Sequence, residues 1–200
     1  TSQAELNEII SQVQILRTRG KLREEKRDRI IIHTIGLLDE MDNVLNNFSE
    51  RLREWYGLHF PELSREIQSH EKFAETLAKY GHRRSIKEFA GLAKQSSGME
   101  LSEMDIQEIR AFSKTLLELY QRKRTLAGYL EGLCHEVMPN TAKIAGEAIA
   151  ARLLSHAGSL EKLSRLPSST VQVLGAEKAL FRHLKDRSSR APKYGVLFGH

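Results

Sequence analysis

The chain has 200 residues and a formal net charge of +5, enough for one or two domains and biased toward an acidic partner such as nucleic acid. Aromatic residues make up only 6% and charged residues 28%, a balance that suits long helices better than one compact globule. Cys134 is the single cysteine, which excludes an internal disulfide; no apolar run reaches membrane-spanning length, and the first residues lack a signal-peptide pattern.

The apolar spacing predicts helices almost throughout. Residues 1–20 read as an N-terminal linker helix, with Leu6, Ile9, Ile10, Val13 and Leu16 on the 3.6-residue period and Gly20 as its stop. A long helix is expected from about 22 to 56, roughly 50 Å at 1.5 Å per residue. Its seam is Leu37, Met41, Val44, Phe48, Leu52 and Trp55, at three- and four-residue spacing. Trp55 and Tyr56 close that seam and are assigned to packing rather than to base stacking. Gly57 and Pro61 end the helix. Two shorter helices follow, over about 62–80 and 85–94, and Ser102 with Asp105 marks the start of the next.

That second long helix, up to residue 137, carries the cleaner repeat: Ile109, Phe112, Leu116, Leu119, Lys123, Leu126, Leu130, Leu133 and Val137. Lys123 is its one polar seam position, of the kind that fixes register. Two long helices joined through short ones run back along each other, so residues 21–137 are expected to form an antiparallel coiled coil. The apolar residues outside the main seam leave room for a further partner surface.

From 138 to 200 the pattern changes. Pro139 is a hinge or cap, and 140–156 is rich in alanine and glycine, which allows close helix approach. A short helix over 159–166 is stopped by Pro167. Ser168, Ser169 and Thr170 then offer hydroxyls in a row, and Val171–Val173 is the one brief strand candidate. From Ala176 the chain is helical again, with Leu180, Phe181 and Leu184 as an apolar stripe and Lys178, Arg182 and Lys185 on one face. Arg187, Arg190 and Lys193 extend the positive charge. A basic stripe beside a hydroxyl-rich turn is the footprint of a phosphate-binding surface; a solvated basic helix face is the alternative.

No catalytic constellation stands out. The eight histidines are scattered, there is no Cys/His cluster with ligand spacing, and no phosphate-binding glycine loop. An enzyme, a metal site and a cofactor are therefore not expected. Residues 151–163 are similar to the back half of a helix-hairpin-helix motif, a DNA-binding alternative whose hairpin would fall at Asn140–Lys143, where no Gly-x-Gly is present. A bare coiled-coil oligomerisation module is a third reading, but it leaves the basic segment unused.

Two stretches carry a family resemblance. Leu174-Gly-Ala-Glu-Lys-Ala-Leu-Phe-Arg-His-Leu184 with Pro192-Lys-Tyr-Gly195 resembles the signature of the Nop domain, found in scaffold proteins of box C/D RNA methylation particles and in a related spliceosomal factor. Leu38-Asp-Glu-Met-Asp42 and Phe48–Leu63 resemble the coiled-coil segment of the same family, in its order and spacing. The resemblance implies an all-α protein: a long antiparallel coiled-coil domain followed by a small helical Nop domain, partial at its C-terminus because the family continues past the position of His200. It also implies a non-catalytic, RNA-binding scaffold. Such a protein clamps a kink-turn RNA already held by a small kink-turn-binding protein, and helps position fibrillarin (indirectly, or through an N-terminal domain this chain lacks); a spliceosomal-type assembly factor is the alternative within the family. The resemblance also implies dimerisation through the coiled coil, with Leu37, Met41, Val44, Phe48, Leu116, Leu119 and Leu126 as candidates for pairing with a second copy. On the same grounds Arg165, Ser168, Ser169, Thr170, Lys178, Arg182 and Lys193 fall at RNA-facing positions, and Gly175, Ala176 and Glu177 at the side that meets the small protein. A cytoplasmic archaeal protein, or a nucleolar eukaryotic one, is the expected setting.

Overall fold

The computed structural model describes residues 3–23, 27–186 and 188–199. The regular elements among them are all helical: α1 (Gln3–Arg23), α2 (Asp28–Gly57), α3 (Leu63–Glu66), α4 (His70–Tyr80), α5 (Ala90–Gln95), α6 (Glu103–Val137), α7 (Pro139–Ala145), α8 (Glu147–Ala157), α9 (Leu160–Arg165), α10 (Ser168–Val173) and α11 (Glu177–Lys185), with short 3₁₀ turns at Arg83–Ser85, Lys87–Phe89 and Val196–Gly199. Gly20 does not stop α1, which continues to Arg23, and α2 begins at Asp28 rather than near residue 22. Val171–Val173 is the end of α10, not a strand. Two compact units are formed, one by Gly36–Tyr129 and one by Thr1–Ile35 with Leu130–His200.

In the unit Gly36–Tyr129, α2 and α6 pair antiparallel. Asp42 bonds to Lys123, while further along α2 Ser49 Oγ meets Tyr120 Oη at 3.2 Å, so one helix rises in number as the other falls. The polar seam position at Lys123 is thus answered by a carboxylate on the facing helix. The core holds Leu45, Leu52 and Tyr56 of α2 against Ile109 and Leu116 of α6, closed by Phe60, Leu63, Phe73, Leu77 and Ile86. On α6 the expected seam is the observed one at Ile109 and Leu116. On α2 the expected seam holds at Leu52 but is displaced by one residue at Leu38 and Leu45, which are buried, while Leu37 is 48%, Val44 41%, Phe48 40% and Trp55 39% exposed. Consecutive residues are turned about 100° on a helix, so these are two adjacent apolar stripes, and the pair uses only one of them.

The helix expected over 62–80 is broken at 67–69. Arg53 causes the break: its guanidinium donates to the carbonyls of Ser64, Ile67 and Gln68, at 3.3, 2.7 and 2.8 Å. Those carbonyls are satisfied without helical partners. Ser69 then caps α4, accepting from the Lys72 N–H. The start of α6 follows the expectation closely. Ser102 and Asp105 form a reciprocal box, with Ser102 N–H and Oγ–H donating to Asp105 Oδ2 and the Asp105 N–H donating back to Ser102 Oγ.

In the other unit Ile31, Ile35, Leu130, Leu133, Cys134 and Met138 are buried. Pro139 opens α7 at a position where its missing N–H costs nothing. Ala142, Ala150 and Ala151 are at most 2% exposed, so the small side chains do allow close approach. The turn between α7 and α8 is Gly146 (φ 79°), and residues 140–143 lie inside α7. The hairpin of the DNA-binding alternative would fall there, but the stretch is the first turn of a helix and not a loop between two helices. Ile149, Leu153 and Leu174 form a second core cluster with Leu163, Leu166, Val171, Val196 and Leu197 packed on it. The buried Asp28 accepts the N–H of Leu160 at the start of α9.

Candidate nucleic-acid interface

The C-terminal basic segment is held by backbone bonds rather than by a large core. Pro167, extended at φ −66° and ψ 151°, opens α10. Its carbonyl accepts from Thr170 and Val171, and no side chain caps the helix. Ser168 and Ser169 are exposed and Thr170 half-buried, so the hydroxyl row faces outward at its first two members.

Between α10 and α11 the chain turns at Gly175, whose φ is +86°. A Cβ here would stand 2.6 Å from Val196 Cγ2 and 3.2 Å from His156 Nε2, so both the conformation and the space call for glycine. The Gly175 N–H donates to Glu177 Oε1 at 2.7 Å, and His156 Nδ1 lies 3.6 Å from the same oxygen. The Gly175 bond, with lesser help from Glu177's own N–H and from His156, holds the Glu177 carboxyl below the usual carboxylate range against the pull of burial. Glu177, expected to face a protein partner, thus also fixes its own turn.

The α11 helix carries the charge. Lys178, Arg182 and Lys185 recur at four- and three-residue spacing and are all exposed. Of the apolar stripe, Phe181 and Leu184 are 67% and 65% exposed and Leu180 is half-buried. The helix therefore presents a mixed basic and apolar surface. After it, Asp186 accepts from Ser188 N–H and Oγ–H, and His183 Nδ1 bonds the Ser189 carbonyl oxygen at 2.5 Å.

The Pro192–Gly195 segment is pinned back onto α10. Gln172 Nε2 donates to the Lys193 carbonyl and the Gly195 N–H donates to the Gln172 carbonyl, both at 2.8 Å; the Val196 N–H donates to the Leu174 carbonyl at 2.7 Å. A Cβ on Gly195 would sit 1.8 Å from Leu174 O. Gln172 thus joins the Lys193 loop to the helix that begins with Ser168, a link sequence reasoning missed because glutamine in a short helix carries no signal. Arg190 and Lys193 are exposed; Arg187 lies outside the described residues. Arg165 is drawn to Glu161 at 2.8 Å, an exposed i,i+4 pair of the weak kind that a phosphate can displace. Ala176 is half-buried behind the turn.

Elsewhere Glu131, His135 and Glu147 bring one ligand atom each within 4.8 Å of one another. Spacing alone hid this group, since two members lie on α6 and the third on α8. Among the helices of the described residues none is long and apolar enough to cross a membrane.

A turn built around Gly175, a basic α11 and a loop clamped by Gln172 can bind and orient an anionic chain. The model of the Nop family, described as "snoRNA binding domain, fibrillarin", matches residues 37–200. An uncharacterized NOP5 family protein of Methanocaldococcus jannaschii is 40% identical over 190 residues, covering 88% of this chain and 46% of the relative. Nucleolar protein 58 of Aspergillus oryzae is 39% identical over 198 residues, 92% of this chain and 34% of the relative. Nucleolar protein 56 of Homo sapiens is 38% identical over 200 residues, 91% of this chain and 34% of the relative. The chain spans less than half the length of these relatives, and with a family match running from the start of the coiled helices through the clamped basic loop, it belongs to the Nop family.

Proposed function

We propose that the chain is a non-catalytic RNA-binding scaffold of a box C/D-type ribonucleoprotein. The carrying observation is the α11 surface: Lys178, Arg182 and Lys185, with Arg190 and Lys193 beyond, form no ion pair with a described carboxylate, so their charge is available for phosphates. Phosphate contacts set affinity and position. The exposed Phe181 and Leu184 beside them suit a protein surface, which supports recognition of a kink-turn RNA already carrying a small kink-turn-binding protein. Ser168, Ser169, Thr170 and Arg165 supply further phosphate donors, and Gly175 and Ala176 the close-approach turn toward the small protein.

The same reading assigns the unused stripe of α2 to a second copy of the chain. Leu37, Met41, Val44 and Phe48, with the half-buried Leu119 and Leu126 of α6, provide an apolar face. Leu116, 1% exposed, supports that face from inside the pair. The scaffold helps position fibrillarin for RNA 2'-O-methylation, in the nucleolus of a eukaryote or the cytoplasm of an archaeon.

Gel shifts test the central claim. Weak binding to free kink-turn RNA and much tighter binding to the preformed RNA–protein complex are expected, because each partial interface alone barely offsets an association cost of roughly 4–15 kcal/mol. Equal affinity for both, or tight binding to arbitrary duplex DNA, overturns it.

A further inference from the structure

Within the unit Gly36–Tyr129 a cavity of about 420 Å³ is lined by Arg83, Arg84, Ala90, Ala93, Lys94, Ser96 and Glu100. Arg83 is the unusual member. Its side chain is 8% exposed. Nη1 donates to the carbonyls of His59 at 2.5 Å and Gly98 at 2.8 Å, and Nη2 donates to Glu100 Oε1 at 2.6 Å. Its Nε is buried and has no hydrogen-bond partner. That N–H is enclosed by protein, so what Arg83 offers the cavity is its positive charge, paired with Glu100.

The surroundings favour an anion over water. Arg84 is 72% exposed and bonds only the Glu100 oxygen that Arg83 already uses, at 2.8 Å. Lys94 is exposed and forms no ion pair with a described carboxylate. Three cations thus line the cavity against the single carboxylate of Glu100. Glu62 stands behind Ser96 and is occupied by the Ser96 and Ser97 hydroxyls and the Ser97 N–H. Guanidinium forks match phosphate oxygens in geometry and charge. At about 30 Å³ per water, the cavity has room for a phosphate group with part of its hydration.

We propose that this cavity is a phosphate-binding pocket, with Arg84 and Lys94 as its exposed ligands and the buried charge of Arg83 behind them. The shared chemistry is the phosphate oxyanion, whether free or carried on an RNA backbone.

The test titrates inorganic phosphate into the whole chain, following the Arg84 and Lys94 side-chain resonances by NMR, with chloride at equal ionic strength as the reference. Saturable phosphate shifts at millimolar or lower concentration, weakened at least tenfold in the Arg84→Gln/Lys94→Gln double variant, are expected. Both substituted residues are exposed, and an unchanged circular dichroism spectrum verifies the variant's fold. Indifference to phosphate over chloride, or equal response of the double variant, overturns the proposal. A short single-stranded RNA added to the phosphate-bound protein separates the sources. Displacement identifies a chain-borne phosphate, and retention a free one. Because the readout is the Arg84 and Lys94 resonances themselves, the outcome reports on this cavity and is distinguishable from binding at Lys178 and Arg182.

Discussion

The carboxylate of Glu177 accepts the backbone N–H of Gly175, two residues before it, at 2.7 Å. The bond closes the turn on which α11 is mounted, and it forms only because Gly175 sits at φ +86°. Replacing Gly175 by alanine sets a Cβ 2.6 Å from Val196 Cγ2 and demands a left-handed backbone, at a cost of about 1–3 kcal/mol. Gly175→Ala is expected to lower the melting temperature and to weaken binding of the RNA–protein complex together. Retained affinity at reduced stability would detach the turn from the interface.

Lys178→Ala with Arg182→Ala separates charge from fold. Both residues are exposed on α11, so melting is expected to change by less than about 0.5 kcal/mol. Affinity for the RNA–protein complex is expected to fall, and the slope of log affinity against log salt to flatten by roughly 0.7–0.9 for each lost phosphate contact. An unchanged slope means these side chains do not meet phosphates.

Acid stability follows from the carboxylates. Glu62 is pushed upward by burial, but bonds from Ser96 and Ser97 outweigh that and bring it down to about 2. Ser102 lowers Asp105, and Ser188 lowers Asp186, mainly through their hydroxyls. A group held below its unfolded value contributes stability that is complete above the unfolded pKa and is lost as pH falls through the folded one. The loss from these carboxylates therefore starts near pH 4.5 and deepens toward pH 2. His59 adds an earlier step. Burial lowers its pKa, helped by Arg83 and His82 and opposed by the Met99 carbonyl and Glu100. Its neutral form is the folded one, so its share begins to disappear as pH drops below about 6.5. Thermal melts from pH 8 to 3 are expected to show both declines, and His59→Gln to remove the upper one.

Much of this was legible in the residues. The seam of α6, the Ser102–Asp105 start and the lone polar position at Lys123 all follow from spacing, because each depends on neighbours within a few residues along one helix. The seam of α2 was not legible to one residue. Leu37 and Val44 repeat at seven just as Leu38, Leu45 and Leu52 do, and only the partner helix decides which stripe it covers. The break at 67–69 was hidden for the same reason: its cause, Arg53, lies 11 to 15 residues upstream. The basic residues and glycines of the candidate site stand out in the sequence, but the Gln172 clamp does not, because its side-chain amide and its carbonyl meet backbone groups 21 to 23 residues away.

Arg53→Ala tests that break. The substitution removes three carbonyl contacts, the bond from Nε to His70 Nδ1 at 3.0 Å and the guanidinium stacked 4.4 Å over Phe73. A destabilisation of about 2 kcal/mol is expected, with increased hydrogen exchange at 64–70. A loss below 0.5 kcal/mol would show that the break is set by another contact.

The two stripes of α2 make opposite predictions for the same substitution. Leu52 is 1% exposed in the core between α2 and α6, while Phe48, one turn earlier, is 40% exposed, its ring 5.7 Å from Phe112 at the margin of the pair. An aspartate at 52 buries an unpaired charge, so Leu52→Asp is expected to unfold the unit, with loss of helical circular dichroism. An aspartate at 48 stays hydrated, so Phe48→Asp is expected to keep the helical signal and most of the stability. If the outer stripe seats a second copy, Phe48→Asp and Val44→Asp then convert a dimer into a monomer in sedimentation equilibrium, because a charge against an apolar partner surface is unpaired on both chains. A wild-type chain that sediments as a monomer at micromolar concentrations, or a dimer that survives both substitutions, assigns the stripe to some other partner.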